Sequence, residues 1–351
     1  MGLNPGLMPA PTHPAIARAA RALALAGTGT LCILTAGALG ITVLGKVHRP
    51  GVILDLPAPP PSKQASAPKP DSAPAAPPVT IDKIVMAGRA LIADPALIEN
   101  SAQGPLPRIA DDGRKPMAAY AAPAANGKFR IAIVVTGLGL SAKATASAMA
   151  LPSGITFAFL PYAGDVQHWV SQARQSGHEA LLQVPMEPFD FPDSDPGPHT
   201  LRSGIERDTN GQRLEWALSR FTGYAGVTNL LGQRFLADAD ALSPTLTQLS
   251  RRGLYFFDNG AAAQSAAADV AGRSGAPFAK AGETLDGIQT ALEIDKHLSN
   301  LEAQAREHGT AIGSAYVYPI TIERIAAWAK GLERRGFVLV PVSAIVNQPA
   351  K

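Results

Sequence analysis

The 351-residue chain has very little cysteine, and this scarcity excludes two kinds of site. Cys32 is its single cysteine, so no disulfide forms within one chain and no zinc site is built from several thiolates. Charged residues are also few, at 17% of the chain against roughly 25% in an average soluble domain. The net charge of +3 is spread without a lysine and arginine block, so nothing in the composition predicts nucleic-acid binding.

Histidine is present, but not in metal-binding patterns. The seven histidines are His13, His48, His168, His178, His199, His297 and His308. None forms an H-x-H, H-x-x-x-H or H-E-x-x-H pattern, the local signatures of a metal site. His178 follows a turn glycine and precedes a predicted strand, which favours a structural role. His297 and His308 lie eleven residues apart on one predicted helix, and histidines placed in this way typically belong to its solvated face.

An uncharged apolar stretch covers residues 22–45. A membrane-spanning helix needs about 20 predominantly apolar residues, so we predict an uncleaved signal anchor in the bacterial inner membrane, preceded by an N-terminal tail, residues 1–21. Two alternatives stay open. One is a cleaved signal peptide with Ala36-Gly37-Ala38 as its small-residue cleavage site, and the other is a buried helix of a globular domain.

A proline- and alanine-rich region follows the apolar stretch. Residues 50–78 contain ten prolines, and such a segment favours extended conformations with little apolar surface to bury. We assign residues 46–127 to a disordered linker that holds the folded domain, residues 128–351, away from the membrane in the periplasm. Within this linker, residues 81–98 are apolar enough to predict a short helix that docks on the domain.

From residue 128 onward, short apolar runs alternate with helical segments. The predicted strands cover residues 129–135, 155–160, 179–184, 226–229, 254–257, 311–316 and 337–342. The predicted helices cover residues 141–150, 166–176, 210–221, 243–252, 265–274, 288–308 and 321–335. This alternation predicts an α/β fold with a mainly parallel sheet, as a closed or nearly closed barrel or, alternatively, an open doubly wound sheet. In either case the site is expected at the carboxyl ends of the strands.

Several motifs stand in a fixed order around these strand ends. They are Leu151-Pro152, Thr156 to Tyr162, Gly177-His178-Glu179, Pro185-Met186-Glu187-Pro188, Pro196-Gly197-Pro198 with Leu201, Gly232 with Arg234 and Phe235, Arg252-Gly253-Leu254 to Asp258, and Val340-Pro341-Val342-Ser343. In order and spacing, roughly residues 128–348 resemble the divergent polysaccharide deacetylase family, a branch of the NodB-like deacetylases. The resemblance implies a NodB-like distorted (β/α)7 barrel, carbohydrate deacetylase activity, and a glycan or cell-envelope polysaccharide as partner.

The resemblance also implies a metal site whose residues this sequence lacks. Where the family has a pair of aspartates, the chain has Thr136 and Gly137, and three family histidines correspond to Gln183, Leu230 and Tyr316. The family chemistry resembles metal-assisted hydrolysis, in which a bound ion activates water. We therefore predict no metal site and no other cofactor, although the family alone would suggest a divalent ion.

Other polar residues at the strand ends remain as candidates. The catalytic candidates are Glu187, Asp258 and Asp286. The substrate-binding candidates are Thr136, Gln183, Asn229, Arg234, Tyr316 and Tyr318. Two carboxylates can perform acid/base chemistry on a glycan, but Glu187 and Asp258 can equally bond nearby backbone, and Arg234 can form a structural ion pair with one of them.

The sequence leaves three functions open. The first is an envelope-anchored protein of carbohydrate metabolism or glycan binding without the usual metal-dependent deacetylase activity. The second is an active carbohydrate hydrolase or deacetylase that uses Glu187, Asp258 or Asp286. The third is a periplasmic protein-interaction module whose surface, rather than its pocket, binds a partner.

Overall fold

The computed structural model describes residues 93–346. The predicted signal anchor, residues 22–45, and most of the predicted linker lie outside these described residues. Within residues 93–346, no helix combines the length and apolar character needed to cross a membrane.

A parallel sheet of nine strands forms the centre of the domain, and a separate two-stranded hairpin precedes it. The hairpin strands are β1 (Ile98–Ser101) and β2 (Gly104–Pro107). The sheet strands are β3 (Phe129–Leu138), β4 (Thr156–Phe159), β5 (Ala180–Met186), β6 (Gly226–Leu231), β7 (Tyr255–Asp258), β8 (Phe278–Lys280), β9 (Glu283–Thr284), β10 (Thr310–Tyr316) and β11 (Phe337–Leu339). Their order is β8-β7-β6-β5-β4-β3-β10-β9, and β11 pairs with β3.

Helices connect the strands. They are α1 (Pro116–Ala119), α2 (Ala142–Ala148), α3 (Val166–Gln175), α4 (Arg207–Leu218), α5 (Gln233–Ala237), α6 (Ala239–Arg251), α7 (Ala267–Ser274), α8 (Ala291–His308) and α9 (Pro319–Ala329). Their ends follow the local sequence. Asp238 accepts hydrogen bonds from two backbone amides at the start of α6, and Gly309 ends α8 in a left-handed conformation that favours glycine.

The two ends of the sheet meet in one short segment of chain. Ala281 and Gly282 separate β8 from β9. The Ala281 amide donates to the carbonyl of Asp258 in β7 (2.9 Å), whereas the Gly282 amide donates to the carbonyl of Ile312 in β10 (2.8 Å). The sheet is therefore curled, which confirms the predicted α/β fold with a parallel sheet. The prediction missed β8 and β9 because the segment is short and rich in alanine and glycine.

Two apolar cores lie on the two faces of this curled sheet. Ile131, Ile133 and Val135 belong to the core between sheet and helices. Ala132 and Val134 belong to a smaller core inside the curl. Because alternate residues of a strand point to opposite faces, both faces of β3 are apolar, which is typical of a buried parallel strand.

Residues 93–122 precede the predicted domain start at residue 128 and pack against the sheet. Leu97, Met117 and Tyr120 lie in the interior core. The Met117 amide donates to the carbonyl of Gly253 (3.0 Å), and the Arg174 guanidinium lies 4.7 Å from the centre of the Tyr120 ring. We call residues 93–122 the N-terminal arm. Its few large apolar residues are widely spaced and follow no helical or strand period, so the packing of the arm could not be predicted from the sequence pattern.

The described part of the arm is not the docking helix that was predicted over residues 81–98. Pro95–Leu97 form a single 3-10 turn, which Asp94 caps by accepting a hydrogen bond from the Ala96 amide. Residues 98–101 then continue as strand β1. A proline at the first position suits one turn, and Ile98 then begins the β-hairpin.

Candidate functional site

The inside of the curled sheet changes from apolar to polar toward the carboxyl ends of the strands. Val134, Leu181 and Phe257 line the apolar part. The polar part consists of Thr136, Gln183, Thr228 and Ser314, which are 7%, 1%, 0% and 4% exposed. We call these four residues the polar floor. All four side chains are uncharged, so they offer hydroxyl and amide groups but no formal charge.

Gly137 lies between Gln183 and Tyr316 at the edge of the polar floor and contacts both. The Gly137 amide donates to Oε1 of Gln183 at 2.6 Å. A Cβ atom on Gly137 would lie 2.3 Å from Cε2 of Tyr316. The Tyr316 ring thus covers the backbone of Gly137, and only a residue without a side chain fits beneath it. The left-handed φ of +83° at Gly137 also favours glycine.

Asp286 holds the end of β10 in place. Its Oδ2 accepts hydrogen bonds from the Tyr316 amide (2.8 Å) and the Thr321 hydroxyl (2.9 Å). Burial raises the pKa of the Asp286 carboxyl above its usual value, although these two hydrogen bonds oppose the increase. Asp286 therefore acts on the site through the backbone of Tyr316.

Two tyrosine rings stand beside the floor. The ring centres of Tyr316 and Tyr318 are 4.7 Å apart, with their planes tilted by 44°. Burial raises the pKa of Tyr316 above its usual value, and neighbouring Tyr318 adds to the increase. Tyr316 is therefore a neutral phenol at physiological pH, able to donate as well as accept a hydrogen bond.

Asn229 and Asn259 join the ends of β6, β7 and β10. Nδ2 of Asn229 donates to Oδ1 of Asn259 (2.9 Å), and the Asn259 amide donates to Oδ1 of Asn229 (3.1 Å). The Ser314 hydroxyl donates to the Asn259 carbonyl (2.6 Å). Sequence reasoning missed the roles of Asn259 and Ser314, although the position of Asn259 directly after Asp258 was a usable signal.

Asp258 has one carboxylate oxygen that is engaged and one that is not. Oδ1 accepts a hydrogen bond from the Gly260 amide (2.9 Å). Oδ2 is buried and has no hydrogen-bond partner among residues 93–346. The hydroxyl of Thr228, on the neighbouring strand, is likewise buried and unpartnered among those residues. A buried polar atom without a partner costs about 1–3 kcal/mol, so a hydrogen bond to either atom would stabilise the folded chain.

Glu187 is held from several sides just beyond β5. Its Oε2 accepts from the Ser203 amide (2.7 Å), and its Oε1 lies 3.7 Å from Nη1 of Arg234. The backbone carbonyl of Glu187 also accepts from the amides of Arg234 and Phe235. Of the predicted alternatives for this carboxylate, bonding to nearby backbone and to Arg234 describes the observed contacts.

Six of the nine candidate residues fall into three groups of contacts. Gln183, Tyr316 and Asp286 are linked through Gly137 and the end of β10. Asn229 belongs to the asparagine pair, and Glu187 with Arg234 forms a separate ion pair. Thr136 donates its hydroxyl to the Ala315 carbonyl (3.0 Å) and so ties β3 to β10.

The residues that correspond to the family metal ligands do not fit a divalent ion. Leu230 has no donor atom, and the Gln183 oxygen is already bonded to the Gly137 amide. Divalent ions in hydrolases take carboxylate and imidazole ligands. No group of three or more histidine, cysteine, aspartate or glutamate side chains suited to a metal occurs among the residues that the structure describes.

The histidines of the domain have other contacts. Nδ1 of His178 lies 2.9 Å from the Ile155 carbonyl, and its ring stacks on Phe157, as expected of a structural residue. His297 is partly buried rather than solvated, and its Nδ1 lies 2.8 Å from Oε2 of Glu283.

A cleft of 750 Å³ lies away from the strand ends, between the β1–β2 hairpin and helix α6. Arg108, Arg207, Arg251 and Arg252 line it together with Glu99 and Asp240. Arg252 is ion-paired with Glu99. The cleft combines both signs of charge and contains none of the candidate residues, so its volume alone does not make it the functional site.

Comparison with known proteins relates the described domain to one family. A family profile described as divergent polysaccharide deacetylase matches residues 133–346. The chain is similar to a protein of Escherichia coli strain K12 named YibQ, with 25% identity over 231 residues, 66% of this chain and 71% of that protein. It is also 25% identical over 203 residues to a protein of Haemophilus influenzae, which covers 58% of this chain and 72% of the other.

A solved structure shares the fold. The crystal structure of a protein from Agrobacterium tumefaciens C58 superposes with a TM-score of 0.68 and is 41% identical in sequence. The match covers 69% of this chain and 100% of that chain.

Proposed function

The chain belongs to the divergent polysaccharide deacetylase family, and from that membership we propose that it binds a cell-envelope glycan without metal-dependent deacetylation. The proposal includes a NodB-like distorted (β/α)7 barrel as the finer description of the curled sheet. It also includes an N-terminal anchor, residues 22–45, that attaches the protein to the bacterial inner membrane with the domain in the periplasm.

One observation carries the proposal. The polar floor is uncharged, and the rings of Tyr316 and Tyr318 stand beside it. Sugars present many hydroxyl groups, which pair with amides and hydroxyls, and apolar ring faces, which pack on aromatic rings. A few placed polar groups beside an apolar wall are typical of small-molecule sites.

Glycan binding to the full-length chain tests this function. Tyr316→Ala removes the ring beside the floor, and we expect it to weaken binding of cell-wall glycan fragments about tenfold, equivalent to about 1.4 kcal/mol. The measurement is isothermal titration with and without a chelator. The control is His168→Ala, an exposed ring on α3. Wild-type affinity in the Tyr316 variant, or binding that the chelator abolishes, would contradict the proposal.

A hydrolase is the second candidate, because Asp258 keeps a buried carboxylate oxygen without a partner among residues 93–346. Such an oxygen can accept a proton in acid/base catalysis. If the chain hydrolyses a glycan, Asp258→Asn abolishes turnover and leaves the fold intact, whereas Asp240→Asn, an exposed aspartate on α6, has no effect. Full turnover by both Asp258→Asn and Glu187→Gln would eliminate this candidate.

An interaction module is the third candidate, and the exposed apolar residues favour it. The large hydrophobic residues exposed among the described residues are Leu140, Phe189, Ile288 and Leu292. Each follows the carboxyl end of a sheet strand in the chain, after β3, β5 or β9. Single exposed apolar residues are normal, but their common location gives a protein partner a face to contact.

A further inference from the structure

Among the positions that correspond to family metal ligands, Gly137 contacts both Gln183 and Tyr316. The Gly137 amide is bonded to Gln183 (2.6 Å), and the Tyr316 ring covers the Cα of Gly137. Gly137 and Gln183 are separated by 46 residues in sequence, so these contacts depend on the fold. The three residues therefore share one small volume at the ends of β3, β5 and β10.

The volume beneath the Tyr316 ring accepts no side chain at position 137. A Cβ there would lie 2.3 Å and 2.4 Å from two ring atoms of Tyr316. Carbon atoms in contact are normally about 3.5–4.0 Å apart. An aspartate at position 137, as the family has, therefore requires the Tyr316 ring to move.

The Tyr316 ring is held where it is. The Tyr316 amide donates to Asp286, the Tyr318 ring lies 4.7 Å away, and β10 is paired with β3 up to Thr136. On the other side, Gln183 uses its carbonyl oxygen to hold the Gly137 amide. A change at Gly137 therefore disturbs its contacts with both Gln183 and Tyr316.

We propose that Gly137, Gln183 and Tyr316 form one interlocked unit that occupies the place of the family metal. The Tyr316 ring determines whether the site stays in this metal-free arrangement or can hold an ion. With tyrosine at position 316, no single back-substitution rebuilds an ion site. This inference concerns the architecture of the site and does not depend on which glycan binds, so it can fail or succeed separately from the proposed function.

A double-mutant cycle on the full-length chain measures the interlock. Gly137→Ala adds a methyl group under the ring, and Gly113→Ala is the matched control. Gly113 has the same φ of +83°, but a Cβ there meets no atom within 4 Å. Both variants carry the backbone cost of alanine at positive φ, whereas only Gly137→Ala adds overlap with Tyr316.

We expect Gly137→Ala to lower the thermal unfolding midpoint about twice as much as Gly113→Ala, because overpacking adds to the backbone cost. In a Tyr316→Ala background the two glycine variants should show equal losses, since the overlap is gone. Equal losses already in the wild-type background, or an unchanged excess loss in the Tyr316→Ala background, would overturn the interlock.

Cobalt binding tests whether the interlocked unit occupies the place of the family metal. The wild-type chain and Gly137→Asp alone are expected to bind no stoichiometric Co²⁺ in absorption titrations. The triple variant Gly137→Asp, Gln183→His, Tyr316→His supplies a carboxylate and two imidazoles, and we expect one ion per chain. Stoichiometric Co²⁺ in Gly137→Asp alone, or none in a folded triple variant, would overturn the proposal. Glycan titrations of the wild type remain a separate readout of function.

Discussion

Glu179 is a fully buried carboxyl group near the start of β5, inside the curl of the sheet. Its Oε1 accepts hydrogen bonds from the Tyr255 hydroxyl (2.8 Å) and the Ser343 amide (3.2 Å). Its Oε2 accepts one from Ala122 at the end of the N-terminal arm (3.4 Å). One side chain therefore connects the arm, β7 and the C-terminal segment.

The pH dependence of stability should reveal Glu179. Burial raises its pKa above the usual value of 4.5, although its hydrogen bonds oppose the increase. The folded chain then binds this proton more tightly than the unfolded chain does. The stability that the group contributes is present below pH 4.5 and is lost as pH rises from there through the raised pKa.

Glu179→Gln removes this titration. We expect the variant to lose less free energy of unfolding than the wild type when denaturant titrations move from acidic to neutral pH. Glu307→Gln, an exposed carboxylate on α8, serves as the control with a wild-type profile. Parallel profiles for wild type and Glu179→Gln would show that Glu179 has the same pKa in the folded and unfolded chains.

At the scale of residues, the sequence predicted parts of the site. An ion pair of Arg234 with a strand-end carboxylate was predicted, and the structure pairs Arg234 with Glu187. The contact of Gly137 with Gln183 could not be predicted, because it depends on the register of β3, β4 and β5 rather than on local pattern. The same holds for Ser314 and Asn259.

At the scale of elements, long apolar runs were predicted well and short polar ones were not. Strand β3 was recognisable because its apolar residues are continuous from Ile131 to Val135. The segment with β8 and β9 and the N-terminal arm were missed, since their pairing partners supply most of their stability. The pattern of neighbouring residues in the sequence does not indicate which distant segments will pair with such an element.

Removal of the N-terminal arm should destabilise the domain. A chain that begins at residue 128 loses the burial of Leu97, Met117 and Tyr120. Each large apolar side chain contributes about 1.5–3 kcal/mol on burial, and each kcal/mol shifts the midpoint of a domain of this size by about 2–4 °C. We expect the midpoint to fall by at least about 10 °C relative to a chain that begins at residue 93.

Calorimetry on the two chains checks the role of the arm. Lys115→Ala in the longer chain is the control, because Lys115 is an exposed residue of the arm. Identical midpoints for the chains that begin at residues 93 and 128 would show that the arm adds no stability.

At the scale of the whole molecule, membrane attachment remains a prediction that rests on residues 22–45. Deletion of these residues from the full-length chain is expected to move the protein from the membrane fraction to the soluble fraction of the cell, because no other stretch of the chain is as long and uncharged. Fractionation with immunodetection measures this. Retention of the shortened chain in membranes would contradict the anchor.

The central position of β3 has a consequence during synthesis on the ribosome. Thr136 of β3 bonds Ala315 of β10, 179 residues later in the chain, and β11 follows β10. At translation rates of about 5–20 residues per second, one edge of β3 remains unpaired for about 10–40 seconds before its partner strand is synthesised. Unpaired strand edges recruit other strands, so the nascent chain is exposed to aggregation until the last two strands emerge.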